Sequence, residues 1–229
     1  MIGKILDIIT KAGEKNQGPS KQKVQVVDMA ELEEELAEML MGQQGQQGAP
    51  EPDLRTIGLF SDVSEERVAE LIHALLYLDA ANKLDKKEDK PIKFYISTYG
   101  GSADDMFGMY DIMRNIRETT EIHTVGLGKV MSAGVILLAA GTKGKREIGK
   151  NCRVMIHSVI GGNHGPLHNL LNEMEAVEQI QKMYIECLVA ETNLSKKQLK
   201  DLLERKVNVY LSAEEAVEYG GSKKSNWPS

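Results

Sequence analysis

Hydrophobic positions along the chain follow alternating strand and helix patterns from residue 56 onward. Short apolar runs, typical of buried strands, alternate with segments whose apolar residues recur every third or fourth position, which indicates amphipathic helices. The predicted strands are 56–60, 92–97, 122–127, 145–148, 153–156 and 207–211, with the fourth and fifth paired to each other. The predicted helices are 64–81, 103–117, 132–140, 167–191, 195–204 and 213–219. Such alternation predicts an α/β fold with parallel strands joined by crossover helices.

The first 53 residues follow a different pattern. Residues 28–41 are predicted to form a short acidic amphipathic helix, with Asp28 and Glu31 as a variant of the capping box. Residues 42–53 are rich in Gly, Gln and Pro, have almost nothing to bury, and are predicted to be a linker. We therefore expect an N-terminal extension over 1–53, one α/β domain over 54–221 and a polar tail over 222–229.

The composition is that of a soluble globular protein and argues against several classes of function. The net charge of -6 argues against general nucleic-acid binding, because such proteins usually present a basic surface. No apolar run approaches the length of a membrane span, and Lys4 and Asp7 interrupt the apolar N-terminus, which argues against a secretory signal. Two cysteines do not make a disulfide framework. We expect a cytoplasmic protein with no nucleic-acid partner and no membrane partner.

Three predicted strand ends carry residue types that acyl-transfer chemistry uses. Gly100, Gly101 and Ser102 follow the second strand. Ser132 follows the third strand, and His157 follows the fifth. Glycine N–H groups at a helix N-terminus favour an oxyanion, a serine can be a nucleophile, and a histidine can be its general base. Taken singly, each also has an ordinary structural role as a tight turn, a helix N-cap or a core histidine.

Other motifs are incomplete. The glycine segment lacks the Gly-Lys-Ser/Thr ending of a Walker loop, so it does not predict a nucleotide cofactor. His164 and His168 have the spacing of a helical metal pair, but Gly165 and Pro166 lie between them and no third ligand is near. The sequence therefore predicts no metal site and no cofactor.

Five collinear stretches carry a family resemblance, namely 95–102, 110–113, 128–141, 154–157 and 210–220. In these stretches, over about residues 55–220, the chain resembles the proteolytic subunit of the Clp protease, ClpP. The resemblance implies the ClpP/crotonase-like fold, a spiral of ββα units with a protruding handle helix over about 160–195. It also implies a serine endopeptidase that cleaves unfolded polypeptides through an acyl-enzyme.

The resemblance assigns roles to individual residues. Ser132 matches the nucleophile and His157 the general base, whereas Asn208 stands where most members have the third catalytic residue, Asp. The backbone N–H groups of Gly101 and Ala133 would form the oxyanion hole. The residues expected to contact an extended substrate are Gly100, Ser102, Gly161 and Gly162. Because an amide cannot stabilise the imidazolium as a carboxylate does, Asn208 predicts weak or conditional activity.

The resemblance further implies heptameric rings, stacked in pairs through the handle, and an AAA+ ATPase partner that unfolds the substrate. Lys206 and Val207 replace an Asp–Arg pair that usually ties the rings together, and Tyr99 replaces a proline before the glycines. Three alternatives stay open. The chain could be a catalytically impaired subunit that assembles with active partners, a crotonase-like acyl-CoA enzyme, or a phage prohead protease on the same fold.

Overall fold

The computed structural model describes residues 54–84, 90–162, 164–204, 208–220 and 223–224. The predicted helix 28–41, the linker 42–53 and the rest of the N-terminal extension lie outside the described residues. So do Lys206, Val207 and all of the predicted polar tail except the short segment 223–224.

The described residues form seven strands and six helices in an alternating order. The strands are β1 (Thr56–Leu59), β2 (Ile92–Thr98), β3 (Ile122–Met131), β4 (Arg146–Ile148), β5 (Arg153–Ile156), β6 (Val209–Leu211) and β7 (Lys223–Lys224). The helices are α1 (Glu65–Leu84), α2 (Ala103–Ile116), α3 (Ala133–Ala139), α4 (Leu167–Glu191), α5 (Lys196–Leu203) and α6 (Ala213–Gly220). The predicted α/β fold class is confirmed, and α4 begins and ends at the predicted residues.

The sheet is organised around β3, which pairs with three neighbours. Strands β1, β2, β3, β4 and β7 lie in that order and are parallel, while β5 also pairs with β3 and is antiparallel to β6. β4 pairs with Thr124–Gly126 and β5 with Lys129–Met131. The predicted pairing of 145–148 with 153–156 is therefore wrong, because β3 is long enough to hold both strands, one on each half.

An irregularity in β3 separates these two halves. Ile96 pairs with Gly126 and Thr98 with Val130, so two steps along β2 correspond to four along β3. Gly128 has a φ of 61°, a left-handed conformation that glycine adopts without steric cost. β3 thus runs four residues beyond the predicted end, and Ser132 follows it directly.

The core lies between the sheet and the helices that cross it. Alternate residues of β2 point inward, and Ile92, Phe94 and Ile96 are fully buried. α2 covers this face with three methionines spaced three and four residues apart, Met106, Met109 and Met113. α3 is buried on most sides, which explains its almost entirely apolar sequence. The core therefore fixes the two helices that follow Ser102 and Ser132.

A buried ionic cluster holds the C-terminal end of α4 against this core. The carboxylate of Glu191, 3% exposed, is 2.8 Å from Arg117 Nη2 and 2.9 Å from Arg146 Nη2, and it accepts a hydrogen bond from Tyr110 Oη. Burial alone would raise the pKa of Glu191, but the hydrogen bond and charge of Arg117, with the charge of Arg146, hold it below the ordinary 4.5. The cluster joins α2, β4 and α4.

Replacing Glu191 with Gln is expected to lower the free energy of unfolding by about 3–5 kcal/mol, because it leaves Arg146 buried without a counter-charge. Since the folded-state pKa of Glu191 is depressed, the stabilisation is complete above the unfolded value near 4.5 and is lost as pH falls through the folded value. Urea unfolding at pH 7 and at stepwise lower pH measures both effects. Glu186→Gln on the same helix is the control, because its exposed pair with Lys196 spans 3.8 Å and should contribute about 0–1 kcal/mol. Equal effects of the two substitutions would contradict this account.

Candidate active site

Ser132 sits in a strained turn between β3 and α3. Its φ of 52° and ψ of -123° make it the one non-glycine residue with positive φ in the described part of the chain. Its N–H donates to the carbonyl of Met155 at 2.8 Å, and its own carbonyl accepts a hydrogen bond from Tyr184 Oη at 3.2 Å. Such strain is characteristic of nucleophile turns, where it lifts the hydroxyl away from the helix axis.

His157 follows β5 and faces this serine. Its Nε2 lies 2.9 Å from Ser132 Oγ, and its Nδ1 lies 2.5 Å from the carbonyl oxygen of Ser158. A carbonyl oxygen can only accept, so Nδ1 carries the proton and Nε2 presents its lone pair to the serine hydroxyl. The main chain therefore fixes the tautomer that a general base requires.

Gly100 and Gly101 form a turn that is held by backbone hydrogen bonds to Val63, a residue outside the cleft. Val63 N–H donates to the Gly100 carbonyl and Ser102 N–H donates to the Val63 carbonyl, both at 2.8 Å. In this parallel bridge Val63 pairs with the Gly100 carbonyl and the Ser102 N–H, which are the backbone groups on either side of Gly101. The N–H of Gly101 consequently points away from Val63, as an oxyanion donor must.

Both turn positions require glycine. Gly100 and Gly101 have φ of 103° and 151°. A Cβ on Gly100 would lie 2.6 Å from the Cβ of Ser132, and one on Gly101 would lie 2.2 Å from the carbonyl oxygen of Val63. The glycine turn thus touches the nucleophile directly. Ala133, the first residue of α3, adds an N–H that has no acceptor within its own helix.

A cleft of about 420 Å³ opens over these groups. Its reactive lining comprises Gly101, Ser102, Ser132, Ala133 and His157. Its apolar walls include Met106, Val159, Ile160, Ile180 and Tyr184. Burial raises the pKa of Tyr184, so this phenol stays protonated and can donate to the Ser132 carbonyl.

The remaining predicted site residues lie at the edge of the cleft. Gly161 and Gly162 are exposed and directly follow Ile160, which lines it. A Cβ on Gly161 would lie 2.4 Å from the side chain of Val177 on α4. Gly161 and Gly162 therefore pass close to α4 just beyond the cleft wall.

Asn208 lies next to β6 and is exposed. β6 pairs with β5 so that Val209 is opposite Ile156, and one further step of this register brings Asn208 opposite His157. Within the described residues its amide makes no hydrogen bond to the imidazole, whose Nδ1 contacts Ser158 instead. The structure brings Ser132, His157 and the glycine turn together and leaves Asn208 beside them.

Three contributors to the site were not predicted from the sequence. Val63 acts through its backbone, so its side chain gives no signal. Ser158 acts through its carbonyl, which every residue type carries. Tyr184 lies in the helix predicted over 167–191 and is 5% exposed, and a tyrosine inside an amphipathic helix is a signal for a polar partner, because a buried phenol usually needs one.

The described residues contain neither a metal-binding cluster nor a membrane-spanning helix. Those residues include no group of three or more His, Cys, Asp and Glu side chains arranged to hold a metal ion. None of the helices described above is both long and apolar enough to cross a membrane.

Comparisons with known proteins identify the family. Residues 52–221 match the family described as Clp protease. ATP-dependent Clp protease proteolytic subunit 1 of Prochlorococcus marinus (strain MIT 9312) is 34% identical over 166 residues, which cover 72% of this chain and 80% of that protein. ATP-dependent Clp protease proteolytic subunit 2 of Corynebacterium jeikeium (strain K411) is 35% identical over 167 residues, covering 72% and 76%. The predicted resemblance is thus confirmed, and the chain belongs to the Clp protease family of serine peptidases.

Proposed function

We propose that this chain is a proteolytic subunit of an ATP-dependent Clp protease and hydrolyses peptide bonds of unfolded polypeptides. The observation that carries the proposal is the 2.9 Å contact between Ser132 Oγ and His157 Nε2, with Nδ1 directed at a carbonyl oxygen. This arrangement makes His157 a base toward Ser132. The names of the relatives support the same activity.

In the proposed reaction, Ser132 Oγ attacks the scissile carbonyl carbon while its proton passes to His157 Nε2. The N–H groups of Gly101 and Ala133 stabilise the negative oxygen of the tetrahedral intermediate. The imidazolium then returns the proton to the leaving amine, and the C–N bond breaks to give an acyl-enzyme. Water, deprotonated by the same imidazole, hydrolyses the ester and regenerates Ser132.

An extended substrate fits the geometry around the cleft. Gly161 and Gly162 are exposed and carry no side chain, so their backbone groups are open to a peptide. Gly100 and Ser102 border the substrate without pairing with its main chain, because their N–H and C=O groups are already bonded to Val63, Thr98 and Met106. Extended peptides commonly bind by adding main-chain hydrogen bonds of this kind, while the apolar walls take alternate side chains. A polypeptide must be extended to bind in this way, which agrees with a substrate unfolded beforehand by an AAA+ ATPase.

Assembly into stacked heptameric rings is part of the proposal. α4 buries residues only in its last two turns, and its first half exposes an apolar stripe. Leu167, Leu171 and Met174 are 68%, 48% and 60% exposed and recur at helical spacing. Such a stripe fits a subunit interface. Mass measurement in solution tests it, with seven or fourteen chains of 25.4 kDa expected and a monomer contradicting it. We expect the complex in the cytoplasm.

Hydrolysis of a fluorogenic peptide tests the activity directly. We expect measurable turnover by the wild type and a loss of roughly a millionfold, to the assay background, in Ser132→Ala. Turnover that survives in Ser132→Ala would contradict the proposal. An assembled wild type that shows no turnover would instead favour the second candidate, an impaired subunit that completes rings with active partners. Asn208 is the observation that favours this second candidate.

A further inference from the structure

Two cation–aromatic pairs lie next to each other on the sheet, and the tyrosine of one of them, Tyr99, lines the cleft. Lys129 Nζ lies 4.5 Å from the ring centroid of Tyr99, and Arg153 Cζ lies 4.8 Å from that of Tyr210. Lys129 and Arg153 are paired positions on the neighbouring parallel strands β3 and β5, so the two cations lie side by side. We define these four residues as the cationic row.

Among the residues that the structure describes, neither cation has an acidic partner. None of the ion pairs among the described residues includes Lys129 or Arg153. Each is held instead over an aromatic face, which orients the positive group without neutralising it. The described residues that line the cleft include no carboxylate either. The cationic row therefore presents positive charge at the edge of an otherwise uncharged cleft.

Tyr99 links this charge to the reacting groups. It is 65% exposed, lines the cleft together with Ser132 and His157, and immediately precedes the two glycines of the oxyanion turn. Tyr210, in contrast, does not line the cleft. Of the two cations, Lys129 is therefore the one within reach of a bound peptide, and Arg153 adds charge behind it.

We propose that Tyr99 and Lys129 form a subsite for an acidic side chain of the substrate, close to the scissile bond. An Asp or Glu carboxylate would pair with the Lys129 ammonium, while its methylene groups pack on the Tyr99 ring. Arg153 supports the subsite by its charge, since a carboxylate relieves the repulsion between two adjacent cations. This inference rests on the proposed peptidase function and concerns the choice among substrates, not the chemistry of cleavage.

Paired peptide substrates test the subsite. A positional library compares Glu with Gln at each position on both sides of the scissile bond and reads kcat/KM. We expect the wild type to prefer Glu by about two- to fivefold at one position, the range of a partly exposed ion pair. The preference should shrink at about 0.5 M salt, because screening weakens exposed pairs.

Substitutions in the cationic row separate an effect of charge on substrate preference from a general effect on activity. Lys129→Gln should abolish the preference for Glu, and Lys129→Glu should reverse it, so that a Lys peptide becomes the better substrate at the same position. Tyr99→Leu should also reduce the preference, since it removes the ring that orients Lys129. Lys197→Gln is the matched control, because Lys197 is an exposed residue of α5 outside the cleft and should leave the ratio unchanged.

The outcomes distinguish the subsite from the peptidase function. If wild-type Ser132 reacts with a fluorophosphonate but wild type and Lys129→Gln show the same Glu-to-Gln ratio, the subsite is wrong and the peptidase function stands. If wild-type Ser132 neither reacts nor supports turnover, the peptidase function is overturned and the subsite with it. A charge-dependent ratio that reverses in Lys129→Glu supports both.

Discussion

Replacing Asn208 with Asp is expected to raise peptide turnover by roughly 10- to 100-fold. The serine protease precedent is larger, since an Asp-to-Asn change at the equivalent position lowers turnover by about 10⁴, largely through the wrong tautomer. Here the Ser158 carbonyl already fixes the tautomer of His157. The remaining gain is the attraction between a carboxylate and the imidazolium, about 1 kcal/mol in water and about 4 kcal/mol at an effective dielectric constant of 20 for charges 4 Å apart. Because Asn208 is exposed, the expected gain lies between these limits.

Steady-state kinetics with one fluorogenic peptide measures the gain, which should fall on kcat, because the imidazolium exists only after proton transfer. Asn151→Asp is the matched control, since Asn151 is exposed in the turn before β5, at the opposite end of that strand from His157. Unchanged or lower turnover in Asn208→Asp, with normal assembly, would contradict the role assigned to position 208.

Replacing Gly101 with Ala is expected to lower kcat by about 10²- to 10³-fold, the usual cost of an oxyanion donor. The added Cβ would lie 2.2 Å from the Val63 carbonyl oxygen, so the turn must move away from Val63 and carry its N–H out of line. The φ of 151° is also one that an L side chain rarely adopts. Kinetics on the assembled variant, with thermal unfolding alongside, measures the effect.

Gly108→Ala provides the control for this substitution. Gly108 lies within α2, and a Cβ there meets nothing within 4 Å, so alanine should leave kcat unchanged and stabilise the helix by about 1 kcal/mol. If Gly101→Ala kept the wild-type kcat while remaining folded, the oxyanion assignment would be wrong.

Much of the fold was predictable because periodicity reports burial. The α4 boundaries follow from a long amphipathic pattern that begins after Pro166, and the Ser195 and Ser212 caps follow from local sequence. Strand pairing was less accessible. The sequence places 145–148 and 153–156 close together, which suggests a hairpin, but the length and irregularity of β3 decide the pairing. β7, two lysines beside β4, has no apolar pattern that could have revealed it.

The candidate site likewise contains residues that the sequence pattern predicts and residues that it does not. Ser132, His157 and the glycines were predictable because side-chain type and strand-end position both signal acyl-transfer chemistry. The support around them was not, because Val63 and Ser158 act through backbone groups. The resemblance implies Asn208 as the partner of the imidazole, whereas the imidazole Nδ1 contacts a main-chain carbonyl. Backbone contacts of this kind depend on the turn geometry, which no single side chain encodes.

Reaction of the assembled protein with a fluorophosphonate, followed by mass mapping of the modified residue, tests the central claim that Ser132 is a nucleophile activated by His157. We expect one label per chain on Ser132, no label in Ser132→Ala, and much slower labelling in His157→Gln. An assembled, folded wild type that takes up no label, or equal labelling rates in wild type and His157→Gln, would contradict it.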